Sequence, residues 1–253
     1  MAAHSRFKTK VAVDPPVIVV YGVDGIGKSS LAAEADDIVY LHTKGERMPS
    51  GVEVPSEEIT DYPQLMSAID DIIVGPHDFK WLVIDSVDGV EPIVWAETCW
   101  RCEFSSIEKP GFGKGYVEAD KEWQDFLDLI GKLPPLGIGV IMLAHPTVER
   151  FDSPMTDPYT MYTIKLQKRA NALVREKADI VAFMNYRVSV KEKEVAQNKT
   201  VSHAEGKTRA IYLNGSPSYN AKNRYGMPDE IAYKKGKGFE ELSKYFPPAL
   251  GLE

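Results

Sequence analysis

Val17-Ile18-Val19-Val20-Tyr21-Gly22-Val23-Asp24-Gly25-Ile26-Gly27-Lys28-Ser29-Ser30 decides how this chain is read. An apolar, β-branched run comes first. A complete G-x-x-x-x-G-K-[ST] pattern then runs from Gly22 to Ser29, and Leu31-Ala32-Ala33-Glu34-Ala35 follows as helix-compatible sequence. Strand, loop and helix in that order are the context the pattern needs. Its glycines let the backbone curl until N–H groups point at phosphate oxygens. The start of the following helix adds partial positive charge at the same place. The pattern therefore predicts a nucleoside triphosphate cradled by Gly22, Val23, Asp24, Gly25, Ile26, Gly27, Lys28, Ser29 and Ser30, with Lys28 on the β- and γ-phosphates and Ser29 on Mg²⁺. The competing reading is a glycine-rich turn that holds no nucleotide.

A phosphate loop needs a carboxylate at the end of a neighbouring strand to order Mg²⁺ and its waters. Lys80-Trp81-Leu82-Val83-Ile84-Asp85-Ser86 supplies Asp85 at the end of an apolar run. Asp85 could instead cap the helix that follows. Hydrolysis also needs a group that orients or deprotonates the attacking water. Glu46, in His42-Thr43-Lys44-Gly45-Glu46, is the first candidate, ahead of Asp88 and Glu91, and a solvated loop glutamate is the alternative. His145, closing Ile141-Met142-Leu143-Ala144-His145, is placed to sense a γ-phosphate, although a lone histidine often serves structure alone.

Apolar runs at 17–21, 38–41, 81–84, 139–143 and 180–183 read as strands. Helical patterns at 28–35, 62–73, 90–102, 117–132 and 164–177 lie between them. That alternation predicts an α/β fold with a mainly parallel, doubly wound sheet. Beyond residue 183 the texture changes. Residues 186–194 alternate, 196–207 read as a polar loop and 208–213 as a further strand, together a C-terminal antiparallel β extension. The domain reading is a flexible N-terminal segment at 1–15, an ATPase core at 16–235 that includes the extension from about 186, and a C-terminal helix and tail at 236–253. Two stretches read as irregular loops: 104–116, rich in glycine, and 145–161, with three prolines.

The 253 residues are 43% apolar and 26% charged, ordinary values for a globular chain. No apolar run approaches the ~18 residues of a membrane span, so no membrane partner is expected. The cysteines are Cys99 and Cys102, on a stretch that reads as an amphipathic helix. With no second pair to complete four zinc ligands, buried thiols in a reducing, cytoplasmic setting are favoured over metal or redox chemistry. The net charge of −7 conceals an asymmetry: residues 1–160 hold 13 basic and 27 acidic side chains, residues 161–253 hold 17 and 10. A basic C-terminal part fits a polyanion, a complementary subunit or a solvated face.

The phosphate loop, the Ile-Asp-Ser strand ending and the polar tip of the fourth strand resemble the RecA-like ATPase core. The likeness over roughly residues 16–231 is strongest to phage-encoded P-loop proteins of the Sak-type single-strand annealing group, often filed as an AAA-type nucleotide-binding domain. The glycine–aromatic loop near 111–116, Lys168-Arg169-Ala170-Asn171-Ala172-Leu173-Val174-Arg175-Glu176-Lys177-Ala178-Asp179 and Ala221-Lys222-Asn223-Arg224-Tyr225-Gly226-Met227-Pro228 also carry it. The acidic Asp-x-Glu ending common on the second strand is here His42-Thr43-Lys44-Gly45-Glu46, which shifts the register of the glutamate.

The resemblance implies ATP with Mg²⁺, and a homo-oligomer, ring or filament, in which Lys222 and Arg224 reach a neighbour's site. It implies single-stranded DNA as partner, contacted by loops at 104–116 and 147–166. Lys109, Phe112, Lys114 and Tyr116 on the first, with Arg150, Lys165 and Lys168 around the second, suit phosphates and bases. A single-strand-binding protein would be a further partner, and the cytoplasm of a bacterial host the location. Alternatives are a helicase-type or loader ATPase, a small-molecule kinase and a nucleotide-switched structural subunit. No separate domain precedes Val17, which counts against a replicative helicase. The long loops hold few arginines, which counts against a kinase lid.

Overall fold

The computed structural model describes residues 14–187, 189–196, 199–205 and 208–247. Its centre is an eight-stranded sheet built on β1 (Val17–Gly22), β2 (Ile38–Thr43), β3 (Ser56–Ile59), β4 (Trp81–Asp85), β5 (Gly139–Ala144), β8 (Ile180–Tyr186), β11 (Arg209–Tyr212) and β12 (Glu230–Tyr233), in the spatial order β12-β11-β8-β1-β5-β4-β2-β3. The six strands from β8 to β3 are parallel, and β11 and β12 run antiparallel at one edge. The central strands β1, β4 and β5 are buried at every position because both faces of the sheet are covered. Along β1 the side chains alternate between two cores. Val17, Val19 and Tyr21 face one layer, containing α2 (Tyr62–Val74), α3 (Val87–Arg101), α5 (Asp120–Ile130) and α6 (Lys168–Lys177). Ile18 and Val20 face the other, containing α1 (Lys28–Ala32) and α7 (Gly238–Ser243).

Local chemistry sets the helix ends. Asp61 accepts from the Gln64 N–H at 2.9 Å and Ser86 from the Gly89 N–H at 3.1 Å, each satisfying an N–H that its helix leaves free. The Gln167 side chain does the same for Arg169 at the start of α6. Trp81 lies flat over Gly139, where a β-carbon would come within 2.2 Å of the indole. Phe239 and Phe246 pack on the same ring and bring α7 onto the sheet.

Several boundaries differ from the sequence reading. The stretch 145–161 is not an irregular loop. It forms most of an antiparallel hairpin, β6 (Pro146–Phe151) and β7 (Tyr159–Ile164), with the prolines outside its ladder or at its first residue. The helix expected from 164 therefore starts at Lys168. The helix expected over 117–132 is two, α4 (Lys114–Glu118) and α5, because the chain turns at Ala119. The expected polar loop 196–207 largely belongs to a second hairpin, β9 (Ser189–Ala196) and β10 (Lys199–Glu205). The edge strands β3 and β12 lack a strong apolar pattern and are not foreseen. Cys99 and Cys102 are free thiols and only half-buried. The expected N-terminal segment lies almost wholly outside the described residues, as do the last residues of the tail. No described helix is long and apolar enough to cross a membrane.

Candidate active site

The loop from Gly22 to Lys28 leaves the C-terminal end of β1. Gly22 is packed so closely against β8 that a β-carbon would sit 2.1 Å from the Met184 carbonyl oxygen. Gly25 and Gly27 have φ of +69° and +112°, values that favour glycine. The Lys28 ammonium is buried and donates to the Gly22 carbonyl at 2.8 Å, its one hydrogen bond among the described residues. Burial pulls its pKa down, opposed by Asp24 and Asp85. A buried cation with spare donors, beside a glycine turn that is open to solvent at Gly25, fits a triphosphate.

Asp85 ends β4, and its Oδ2 accepts from Ser29 Oγ at 2.9 Å and from the Tyr40 hydroxyl at 2.5 Å. The cap of α3 is Ser86, so Asp85 is not spent on capping. A serine hydroxyl beside a strand-end carboxylate is an oxygen donor set suited to Mg²⁺ that keeps most of its waters. Burial drives the Tyr40 phenol above its ordinary value, as does the Asp85 carboxylate, so it stays a donor.

Glu46 reaches this cluster through the tight turn at Gly45, whose φ is +96°. It accepts from Ser86 Oγ at 3.3 Å, and burial with the neighbouring Asp85 raises its pKa. His145 follows β5, the strand inserted between β1 and β4. Its backbone N–H donates to Asp88 Oδ1 at 2.9 Å, and its Nδ1 is 3.0 Å from Asp88 Oδ2. Nε2 lies 3.8 Å from Asp24, and Nδ1 3.8 Å from Glu46. The Asp88 hydrogen bond raises the His145 pKa against the effect of burial. Burial disfavours the Asp88 charge, but the hydrogen bonds from His145 outweigh it and hold the carboxyl below its ordinary value. Asp88 thus orients His145. Glu91 turns away from the cluster and accepts the Gln167 N–H at 2.8 Å.

The remaining residues singled out in the sequence fall elsewhere. Phe112 is fully exposed on a turn with positive φ, between Lys109 and Lys114, which are also exposed. The Tyr116 ring packs edge-on against Trp95 at 5.5 Å, and its hydroxyl donates to Glu108, so it anchors the loop. Arg150 lies on β6, Lys165 follows β7 and Lys168 starts α6. Lys222 pairs with Val181 through the backbone, and Arg224 holds Asp179 at 3.1 Å. Both sit at the N-terminal end of β8, the opposite end of the sheet from the phosphate loop. Tyr40 and the orienting role of Asp88 are not foreseen in the sequence; the Tyr40 position on a core strand carries no motif.

Strand order, phosphate loop and strand-end carboxylate together define an α/β P-loop NTPase of the RecA-like type. The family model described as AAA domain matches residues 14–225, and the chain belongs to that family. Nucleotide hydrolysis with ATP and Mg²⁺ is the general activity that membership carries. No curated protein matches the chain.

Proposed function

We propose that the chain is an ATP-dependent, oligomeric protein that binds single-stranded DNA for annealing or recombination, of the Sak-type group its motifs resemble. One observation carries this reading. A cleft of about 440 Å³ lies between the β6–β7 hairpin and α6, with Arg150, Lys168 and Arg175 on its walls together with Phe151 and Tyr159. The two rings pack with centroids 5.4 Å apart. Cations for phosphates and rings for bases are what a single strand asks of a surface. The Lys168 and Arg175 side chains form no hydrogen bond or ion pair among the described residues. The hairpin starts at Pro146, directly after His145, so one short stretch of chain joins the nucleotide site to the cleft.

In this reading Lys28 neutralises phosphate charge, and Glu46 orients the attacking water and takes its proton. Mg²⁺ held by Ser29 and Asp85 would offset charge on the phosphate oxygens. His145, held by Asp88, would link γ-phosphate loss to the hairpin. Lys222 and Arg224, remote from their own loop, would serve a neighbouring subunit.

The test is fluorescence anisotropy of a labelled oligonucleotide, with and without a non-hydrolysable ATP analogue, over a salt series. Binding is expected to tighten with the analogue and weaken steeply with salt, because phosphate contacts release counterions. Lys168→Glu should weaken it for every sequence, and Phe112→Ala should cost about 1–3 kcal/mol where a ring stacks on a base. Absence of binding at low salt in both nucleotide states would remove the DNA reading and leave an ATPase with another target.

A further inference from the structure

Arg209 opens β11 and faces Tyr233 of β12 in register, so the two side chains share one face of the antiparallel edge. That face looks onto the phosphate loop. A β-carbon placed at Gly27 would lie 2.8 Å from Tyr233 Cε1 and 3.4 Å from Arg209 Nη1. The Tyr233 hydroxyl is fixed by Glu34 at 3.1 Å, and the Glu34 carboxylate is already taken up by that hydroxyl and by the N–H groups of Gly236 and Phe239. The Arg209 side chain forms no hydrogen bond or ion pair among the described residues, whereas nearby Arg187 is neutralised by Glu230 at 2.6 Å. A half-buried guanidinium without a counter-charge among the described residues, set beside a loop that already holds Lys28, is electrostatically unfavourable until an anion arrives.

We propose that Arg209 grips the nucleotide bound by its own subunit, through the phosphates nearer the nucleoside, with Tyr233 as the wall that aims it. Side of approach selects those phosphates. Asp85, Glu46 and His145 all come from strands or strand ends on the β5 side of β1, where hydrolysis would take place. Arg209 comes from the opposite side, across β8. The antiparallel edge is then part of the nucleotide site rather than an appendage to it. The inference rests on the nucleotide reading of Gly22 to Ser30.

Equilibrium titration of the full chain with fluorescent ATP and fluorescent ADP tests it, with Lys28→Ala as the control for the loop. Arg209→Ala should weaken both nucleotides by a similar factor, on the order of tenfold or more, since a charge-assisted contact common to both is lost. Turnover at saturating ATP should stay within about twofold of wild type, because the contact holds ground state and transition state alike. Arg209→Lys should recover part of the affinity. Arg209→Gln, which keeps most of the side-chain length over Tyr233, should lose as much as Arg209→Ala, so a packing defect is told apart from loss of charge. Unchanged affinity for both nucleotides would overturn the proposal. So would a loss confined to ATP, or a collapse of turnover at full affinity. A wild-type chain that binds neither nucleotide would overturn the nucleotide reading along with it; a wild type that binds both while Arg209→Ala binds equally well would overturn the Arg209 role alone.

Discussion

Lys28 is a buried ammonium with one protein acceptor, so most of its hydrogen-bonding capacity is kept for an anion. Lys28→Ala should abolish ATP binding in a calorimetric titration, while Glu46→Gln should bind ATP normally and hydrolyse it orders of magnitude more slowly, since an amide cannot take up the water's proton. Full turnover by Glu46→Gln would shift the base to Asp88, since Glu91 is turned away from the cluster onto the Gln167 N–H. Glu91 has a separate consequence for stability. Burial pushes its carboxyl up to about 7, with Asp88 adding to the rise and the Gln167 N–H and Lys165 opposing it. The folded state therefore holds a proton that the unfolded chain releases. That contribution is full below the ordinary carboxylate pKa and is lost as pH rises through about 7. Glu91→Gln keeps an acceptor for the Gln167 N–H and removes the titration. Its unfolding free energy from urea titrations should lose the Glu91 share of the pH dependence between about pH 5 and about pH 8, and at the upper end it should exceed wild type by on the order of 1–3 kcal/mol.

At the scale of elements, the hairpin β6–β7 owes its place to an aromatic cluster rather than to the main sheet. Phe183 of β8 packs against Tyr162 of β7 at 5.1 Å, Tyr219 at 5.2 Å and Tyr21 of β1 at 4.9 Å. Between Leu213 and Lys222 the chain leaves the sheet edge, pairs Tyr219 with Tyr162 and returns to Val181. The Tyr21 hydroxyl, donating to the Asn220 carbonyl, closes the cluster. Phe183→Ala should cost about 3–5 kcal/mol of unfolding free energy. Amide exchange at residues 159–164 should speed up more than at 139–144, because the mutation frees the hairpin before it frees the sheet. Equal acceleration in both would show that the hairpin does not depend on the cluster.

The whole molecule carries its cations unevenly. Lys168, Arg175, Lys222 and Arg224 all belong to the basic C-terminal part of the sequence. The first two line the cleft, and the last two lie at the far end of the sheet from the phosphate loop. One subunit cannot bring Arg224 to its own Lys28, so a role in hydrolysis requires a neighbour. Arg224→Ala should bind ATP yet fail to hydrolyse it, and mixing it with Lys28→Ala should restore part of the activity, because a mixed interface can contain one intact site. No rescue at any ratio, with assembly verified by light scattering, would leave Arg224 as the partner of Asp179 and nothing more.

The parallel sheet, the phosphate loop and Asp85 at a strand end are legible in the sequence because each is written in a short window: a β-branched run, a glycine spacing, a carboxylate where apolar residues stop. Backbone geometry and burial on two faces need no distant partner to be read. The hairpin at 146–164 is not legible, because Tyr219 and Phe183, far along the chain, hold a polar, proline-flanked stretch in extended pairing. The company His145 keeps is likewise a product of strand order. Inserting β5 between β1 and β4 brings Asp24, Glu46 and Asp88, from three separate segments, around one imidazole. The same holds for Arg209, which no motif marks and which reaches Gly27 only because β11 pairs beside β8. Sequence fixes what each segment can form alone; which side chains share a site depends on contacts between segments whose spacing along the chain carries no periodic signal, and only the packed sheet decides it.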